Sequence, residues 1–190
     1  KPKKRVARNK IKTVIYLGVL AEDKGVEDAI KAFSILDNKG KYLFWVVGKG
    51  NEIYKNYLLA LCDNLGLIGK VKFWGYVGIE KKFELLARAH LLVNPSVREG
   101  WGLVNIEANS VGTPVVSYNS AGLVDSVKDG ASGIVIDRNT PKDLARETER
   151  LLLDEDRYKK LQKGTIFWSK KFDWEISRKK SQELILRVCK

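Results

Sequence analysis

Apolar positions along the chain switch between two rhythms. Residues 13–17, 42–47, 71–74 and 91–93 form short runs that are almost wholly apolar, as expected of strands covered on both faces. Between them apolar residues recur every three or four positions: Val26, Ala29, Ile30, Phe33 and Leu36 mark one face of a helix over 26–37. Residues 38–40 end it, and a second helix over 52–65 stops at Gly66. Phe83, Leu86 and Ala87 share one side of a third helix over 81–89, and a fourth is expected over 103–111. Residues 115–117 and 134–136 read as further short strands. From Pro141 the pattern is helical, with Pro141 in a first turn and two more helices to follow. Alternating strands and helices predict an α/β fold: one Rossmann-like, doubly wound parallel sheet with helices on both faces and a helical C-terminal tail.

The length, 190 residues, fits one domain with a real core. The first twelve residues, which open Lys-Pro-Lys-Lys-Arg, read as a basic linker, and residues 13–190 as the domain. The chain contains no methionine, which suggests a piece of a larger protein. Cys62 and Cys189 fit neither a disulfide framework nor a metal-ligand spacing, so a reducing compartment, the cytoplasm, is expected. No apolar run approaches the roughly 20 residues needed to span a bilayer. Net charge is +12. That balance suits phosphate-bearing ligands, nucleic acid or peripheral contact with an anionic membrane surface, and equally a solvated lysine surface. Aromatic residues are not interleaved with the basic clusters, which disfavours nucleic acid.

The segment Asn94-Pro-Ser-Val-Arg-Glu-Gly-Trp-Gly-Leu-Val-Asn-Ile-Glu107 concentrates the candidate chemistry. It places Glu99 before a glycine loop and Glu107 about one turn into the helix that the loop opens. Gly100 and Gly102 let backbone amides approach a ligand. The helix start offers unpaired N–H groups and partial positive charge to an anion. The flanking acids suit sugar hydroxyls. Taken alone, Glu107 is also ordinary helix electrostatics and Glu99 an ordinary exposed loop acid.

Pro95-Ser96, Glu99-Gly-Trp-Gly102, Glu107-Ala108 and Gly112-Thr-Pro-Val-Val116 together resemble the C-terminal domain of retaining, nucleotide-sugar-dependent glycosyltransferases of group 1 (family four, GT-B fold). Gly18-Val-Leu with Lys24-Gly25, Val47-Gly-Lys-Gly50, Phe73-Trp-Gly-Tyr-Val77, Ala121-Gly-Leu-Val-Asp125 and Phe172-Asp-Trp174 extend the resemblance from Thr13 to the C-terminus. The resemblance implies a nucleotide-sugar donor as substrate, no cofactor and no bound metal, and an acceptor domain preceding this one. It implies that Glu99 contacts the donor sugar and supports charge at the reacting centre, and that Glu107 accepts both ribose hydroxyls. Amides of Gly102, Leu103 and Val104 would meet the diphosphate, and Lys24 would neutralise it. Gly18 belongs to the first ligand loop, Tyr76 and Val77 line the base pocket, and Gly48 and Gly50 keep the cleft floor open.

Val19 stands where this family usually has Arg, which removes one diphosphate contact: either Lys24 suffices, Arg98 or Lys49 compensates, or the donor is bound weakly. The double glycine of the post-strand turn is Ala121-Gly122, and its usual glutamate is Asp125. The single histidine, His90, and Trp45 and Trp74 read as structural. Trp101 is open between packing and ligand contact. Three functions compete: the donor-binding half of a glycosyltransferase, a nucleotide-sugar-binding module without activity, and a basic nucleic-acid-binding domain.

Overall fold

A computed structural model describes residues 6–37 and 40–189. Six parallel strands form one sheet: β1 (Lys12–Leu17), β2 (Tyr42–Val47), β3 (Val71–Gly75), β4 (Leu91–Asn94), β5 (Val115–Ser117) and β6 (Gly133–Val135). Their order is β3-β2-β1-β4-β5-β6. The helices are α1 (Val26–Leu36), α2 (Glu52–Asn64), α3 (Ile79–Arg88), α4 (Leu103–Ser110), α5 (Leu123–Ser126), α6 (Pro141–Leu153), α7 (Glu155–Ser169) and α8 (Trp174–Val188). Single 3-10 turns lie at Glu22–Lys24 and Lys170–Phe172.

Side chains alternate across each strand, so the apolar runs supply two cores at once. Val14 and Tyr16, Phe44 and Val46, and Leu91 and Val93 join one cluster. Their neighbours Ile15, Trp45, Val47 and Leu92 join the other. Helices α1, α2 and α6 bring Ile30, Phe33, Leu58 and Leu144 to the first face; α3 and α4 bring Leu85, Leu86 and Ala108 to the second. In register, Ile15 lies between Trp45 and Leu92 and is fully buried. Truncating a residue of this kind to alanine costs about 2–5 kcal/mol.

The strand order decides where a ligand can sit. The chain steps outward from β1 to β3, then returns to β4 on the other side of β1. Loops leaving the carboxyl ends of β1 and β4 therefore run apart, and the crevice between them is the binding place of open α/β sheets.

The remaining differences from expectation are local. α3 begins at Ile79 rather than 81, because Ile79 and Glu80 are exposed and carry no apolar rhythm. α5, expected as a turn, is a single helical turn with Leu123 fully buried, too short for periodicity to register. β6 starts one residue early, at Gly133. Of the segment expected to be a linker, residues 1–5 lie outside the described part, as do 38–39 of the expected helix stop. Arg8 and Asn9 are anchored: the Arg8 guanidinium donates to the carbonyls of Ala89 and Gly112, and the Asn9 amide to Arg88 O at 2.9 Å. α6 is capped by Thr140, whose hydroxyl oxygen accepts from the Asp143 amide, and α8 by Asp173. α8 buries none of its residues.

Candidate functional site

All the loops that carry candidate residues leave the carboxyl edge of the sheet. The β1 and β2 loops touch backbone to backbone: Gly18 N donates to Val47 O at 3.0 Å, and Leu20 N to Lys49 O at 3.0 Å. Gly48 has φ 140°, and a Cβ there would lie 1.8 Å from Gly18 O; one at Gly50 would lie 2.2 Å from Leu20 O. These glycines exist because another backbone occupies the side-chain position. Both let the β1 and β2 loops pack backbone to backbone.

The β4–α4 loop turns into α4 through Gly102, in the left-handed region at φ 79°. A Cβ there would lie 2.9 Å from both Asn105 Nδ2 and Leu123 Cδ2. Under this turn runs a buried polar chain. Asn94 Nδ2 donates to Asn105 Oδ1 at 2.9 Å, and Asn105 Nδ2 to Ser126 Oγ at 2.9 Å. Trp168 Nε1 donates to Ser126 O at 2.9 Å. The chain fixes the direction of α4, whose start has no side-chain cap. Among the described residues no hydrogen bond uses the amides of Gly102, Leu103 or Val104. Asn94, Asn105 and Ser126 were not among the expected site residues. No pattern in the sequence marks them, because their link is made only by the fold.

Each expected acid is held by a lysine from elsewhere in the chain. Lys24 Nζ donates to Glu99 Oε2 at 2.9 Å and to Arg98 O at 2.7 Å. Ser96 Oγ also donates to Glu99 Oε2, at 3.3 Å. Lys82, on α3 and not singled out from the sequence, pairs with Glu107 Oε1. Lys24, Arg98, Glu99 and Gly100 line an open cleft of about 410 Å³. Val19, exposed, lines an adjoining hollow of about 600 Å³ with Leu20, Gly50 and Tyr54. Tyr16 donates its hydroxyl proton to Val19 O at 2.7 Å, and burial, with Tyr54, Glu99 and Asp23 nearby, pushes its pKa far up. Burial likewise pushes Tyr54 up to about 12, and its buried hydroxyl has no partner among the described residues.

Other expected residues divide between solvent and core. Tyr76 is 75% exposed, with Lys49 Nζ 5.7 Å from its ring centroid. The side chain of Val77 packs against the second core cluster, leaving its backbone for any ligand. Trp101 meets Phe172 edge-on at 4.7 Å, and Phe172 meets Trp168 at 5.0 Å, so its ring is engaged in joining the loop to the C-terminal turn. His90 lies at the opposite edge of the sheet, where its Nδ1 accepts from Thr13 N at 3.1 Å. Burial, then the charges of Arg8 and Lys12, push its pKa down to about 4. The one Asp-x-Asp spacing, Asp154 and Asp156, also lies away from the cleft, and Asp154 caps α7. Among the described residues no cluster of three or more His, Cys, Asp or Glu side chains could hold a metal ion, and no helix is long and apolar enough to cross a membrane.

A family model described as glycosyl transferases group 1 matches residues 1–166. The chain is 33% identical over 143 residues to an uncharacterized glycosyltransferase of Methanocaldococcus jannaschii, covering 75% of this chain and 36% of that protein. It is 36% identical over 118 residues to a D-inositol 3-phosphate glycosyltransferase of Streptomyces bingchenggensis, covering 62% of this chain and 26% of that protein. It thus spans roughly a third of the length of these curated relatives. In fold it is similar to HepE of Anabaena, crystallised with UDP and glucose, with a TM-score of 0.85 at 23% identity over 92% of this chain and 48% of HepE. Sucrose-phosphate synthase of Thermosynechococcus elongatus gives a TM-score of 0.86 at 24% identity over 94% of this chain and 46% of the synthase. With a match over most of its length, this chain belongs to the group 1 glycosyl transferase family.

Proposed function

We propose that this chain is the donor-binding half of a retaining glycosyltransferase that moves a sugar from a nucleoside diphosphate-sugar to an acceptor held mainly by another domain. The observation that carries this reading is the start of α4: three backbone amides without hydrogen-bond partners among the described residues, in the same segment as two carboxylates each held by a lysine. The diphosphate sits on the amides of Gly102, Leu103 and Val104, where peptide dipoles favour negative charge. Lys24 exchanges Glu99 for a phosphate oxygen, which frees Glu99 for the sugar hydroxyls. Glu107 accepts from the ribose diol, and Tyr76 with the Val77 backbone borders the base. When the anomeric C–O bond breaks, the leaving diphosphate gains charge that the amides and Lys24 already face, so no metal is needed. HepE was crystallised with UDP and glucose, which makes UDP-sugars the first donors to test.

A second reading, a nucleotide-sugar-binding module without activity, draws on Val19, which is 57% exposed where a cation would strengthen phosphate binding. In either reading the isolated chain binds donor without transferring it, because the reacting cleft closes only between two domains. The compartment proposed is the cytoplasm, with the basic surface facing an anionic membrane. A thermal-shift screen of nucleoside diphosphate-sugars tests the reading. A matched donor should raise the melting temperature, and Glu107→Ala should cancel the rise. Indifference to every donor, with salt-dependent binding of oligonucleotides, would overturn it. In the full-length protein, a Glu99→Ala variant that binds donor but no longer transfers it favours the enzyme over the inactive module.

A further inference from the structure

The Lys82–Glu107 contact, like Lys24–Glu99, differs from the exposed ion pairs that form within single helices. Pairs such as Lys159–Glu155 and Arg178–Glu175 join neighbours on one helix, with side chains 61–79% exposed. Pairs of that kind contribute little. Lys82 and Glu107 lie on different helices, with side chains only 22% and 29% exposed. Partial withdrawal from water offsets much of the Coulomb gain, so stability alone is a weak reason for the contact. Its geometry suggests another. Lys82 stands at the end of the first turn of α3, where its amide donates to Gly78 O at 2.9 Å, directly after the Tyr76–Val77 loop. Its ammonium lies 5.2 Å from the Phe83 ring centroid, which backs it from the core side. The other α3 cations are engaged elsewhere: Lys81 pairs with Glu84 at 2.9 Å, and Arg88 with Glu84 at 3.2 Å. Lys82 thus fastens one carboxylate oxygen of Glu107, Oε1, while Oε2 has no hydrogen-bond partner among the described residues.

We propose that Lys82 is a positioning residue that sets the Glu107 carboxylate for a ribose diol and so makes the site selective for ribonucleotide over 2′-deoxyribonucleotide donors. This rests on the reading that Glu107 receives the pentose. A carboxylate meets a vicinal diol well only when both oxygens are correctly turned, and an aliphatic glutamate arm does not fix that rotation by itself. Lys82 anchors one oxygen in an orientation that presents the other, and it remains in place when ligand binds. Lys24 is different, because its bond to Glu99 opens when phosphate arrives.

The test titrates UDP, GDP and ADP, and the 2′-deoxy form of the tightest binder, into the wild-type chain and the Lys82→Met, Lys82→Arg and Glu107→Gln variants. The readout is the ratio of ribo to deoxy affinity. In the wild type that ratio should be about tenfold or more, as for one hydrogen bond to a charged group. Lys82→Met should collapse the ratio towards one mainly by weakening the ribo form, and Lys82→Arg should restore part of it. A general loss of stability or of phosphate attraction would weaken both forms equally and leave the ratio unchanged, which would overturn the proposal. If Glu107→Gln collapses the ratio while Lys82→Met does not, the proposal fails and the pentose reading stands. If Glu107→Gln leaves the ratio intact, or no nucleotide binds the wild type, the pentose reading fails and the proposal with it.

Discussion

Both edges of the sheet gather cations around a hollow. At the amino edge Arg8, Lys12, His90, Tyr158 and Lys159 surround one of about 280 Å³. At the carboxyl edge Lys24 and Arg98 line one of about 410 Å³, and Lys82 on α3 pairs with Glu107. The partners of these groups differ. Arg8 donates to the carbonyls that end α3 and follow α4, and Lys12 to Leu152 O; Lys159 is paired with Glu155 at 2.9 Å. His90 accepts the Thr13 amide, and its carbonyl accepts from the Tyr158 hydroxyl at 3.0 Å. Apart from the exposed Lys159–Glu155 pair within α7, these groups tie elements together, and backbone carbonyls cannot be traded for ligand without losing structure. At the carboxyl edge Lys24 and Lys82 sit on carboxylates, the amides of Gly102, Leu103 and Val104 have no hydrogen-bond partner among the described residues, and the glycines let backbones meet without side chains. A set of polar groups that can exchange partners is a site; a set already satisfied by backbone is a joint.

Substitutions can break that contrast in order of size. Gly48→Val should be the most damaging, because a Cβ would lie 1.8 Å from Gly18 O at a backbone angle valine rarely adopts. A loss of about 4 kcal/mol or more in denaturant unfolding is expected. Arg8→Ala and Glu107→Ala should then separate the two edges. Arg8→Ala is expected to cost about 2–3 kcal/mol of stability, leaving buried carbonyls unpaired, without changing nucleoside diphosphate affinity. Glu107→Ala should cost about 1 kcal/mol or less of stability but about 10–100-fold in affinity by calorimetric titration. Crossed results would erase the distinction between joint and site.

His90 sharpens the amino edge through pH. The folded ring, with its pKa near 4, holds a proton less firmly than the unfolded ring at 6.5. Between those values the unfolded chain binds more protons, so stability is full above about 6.5 and lost as pH falls towards 4. After allowance for partial solvent screening, about 1–2 kcal/mol should disappear across that window and be absent in His90→Gln, as chemical denaturation at stepped pH would show. The smallest effect expected is a gain: Val19→Arg should tighten nucleoside diphosphate binding about 3–10-fold at low salt. No gain would mean that Lys24 and the α4 amides already satisfy the diphosphate.

Much of the fold was legible because its parallel strands are covered on both faces: Tyr42–Val47 reads as one apolar run because both cores need it. Periodicity missed α5 and the start of α3, where burial is brief or absent. The placing of Glu99 before a glycine turn at Gly102, and of Glu107 about one turn into the helix it opens, was legible in the sequence, whereas their roles were implied only by the family resemblance. Lys82 was invisible, since one lysine among 35 basic residues gains meaning only when α3 lies beside α4. The Asn94–Asn105–Ser126 chain was equally hidden, because three small polar residues distant in sequence show no pattern until the fold assembles them.

A crystal structure of this chain with UDP-glucose is the most direct trial. The diphosphate should lie within hydrogen-bond reach of the Gly102, Leu103 and Val104 amides, with Lys24 moved from Glu99 to a phosphate and the ribose on Glu107. A nucleotide seated instead between Arg8 and Lys159, or a carboxyl-edge crevice left empty at saturating ligand, would contradict the assignment of exchange to one edge and architecture to the other.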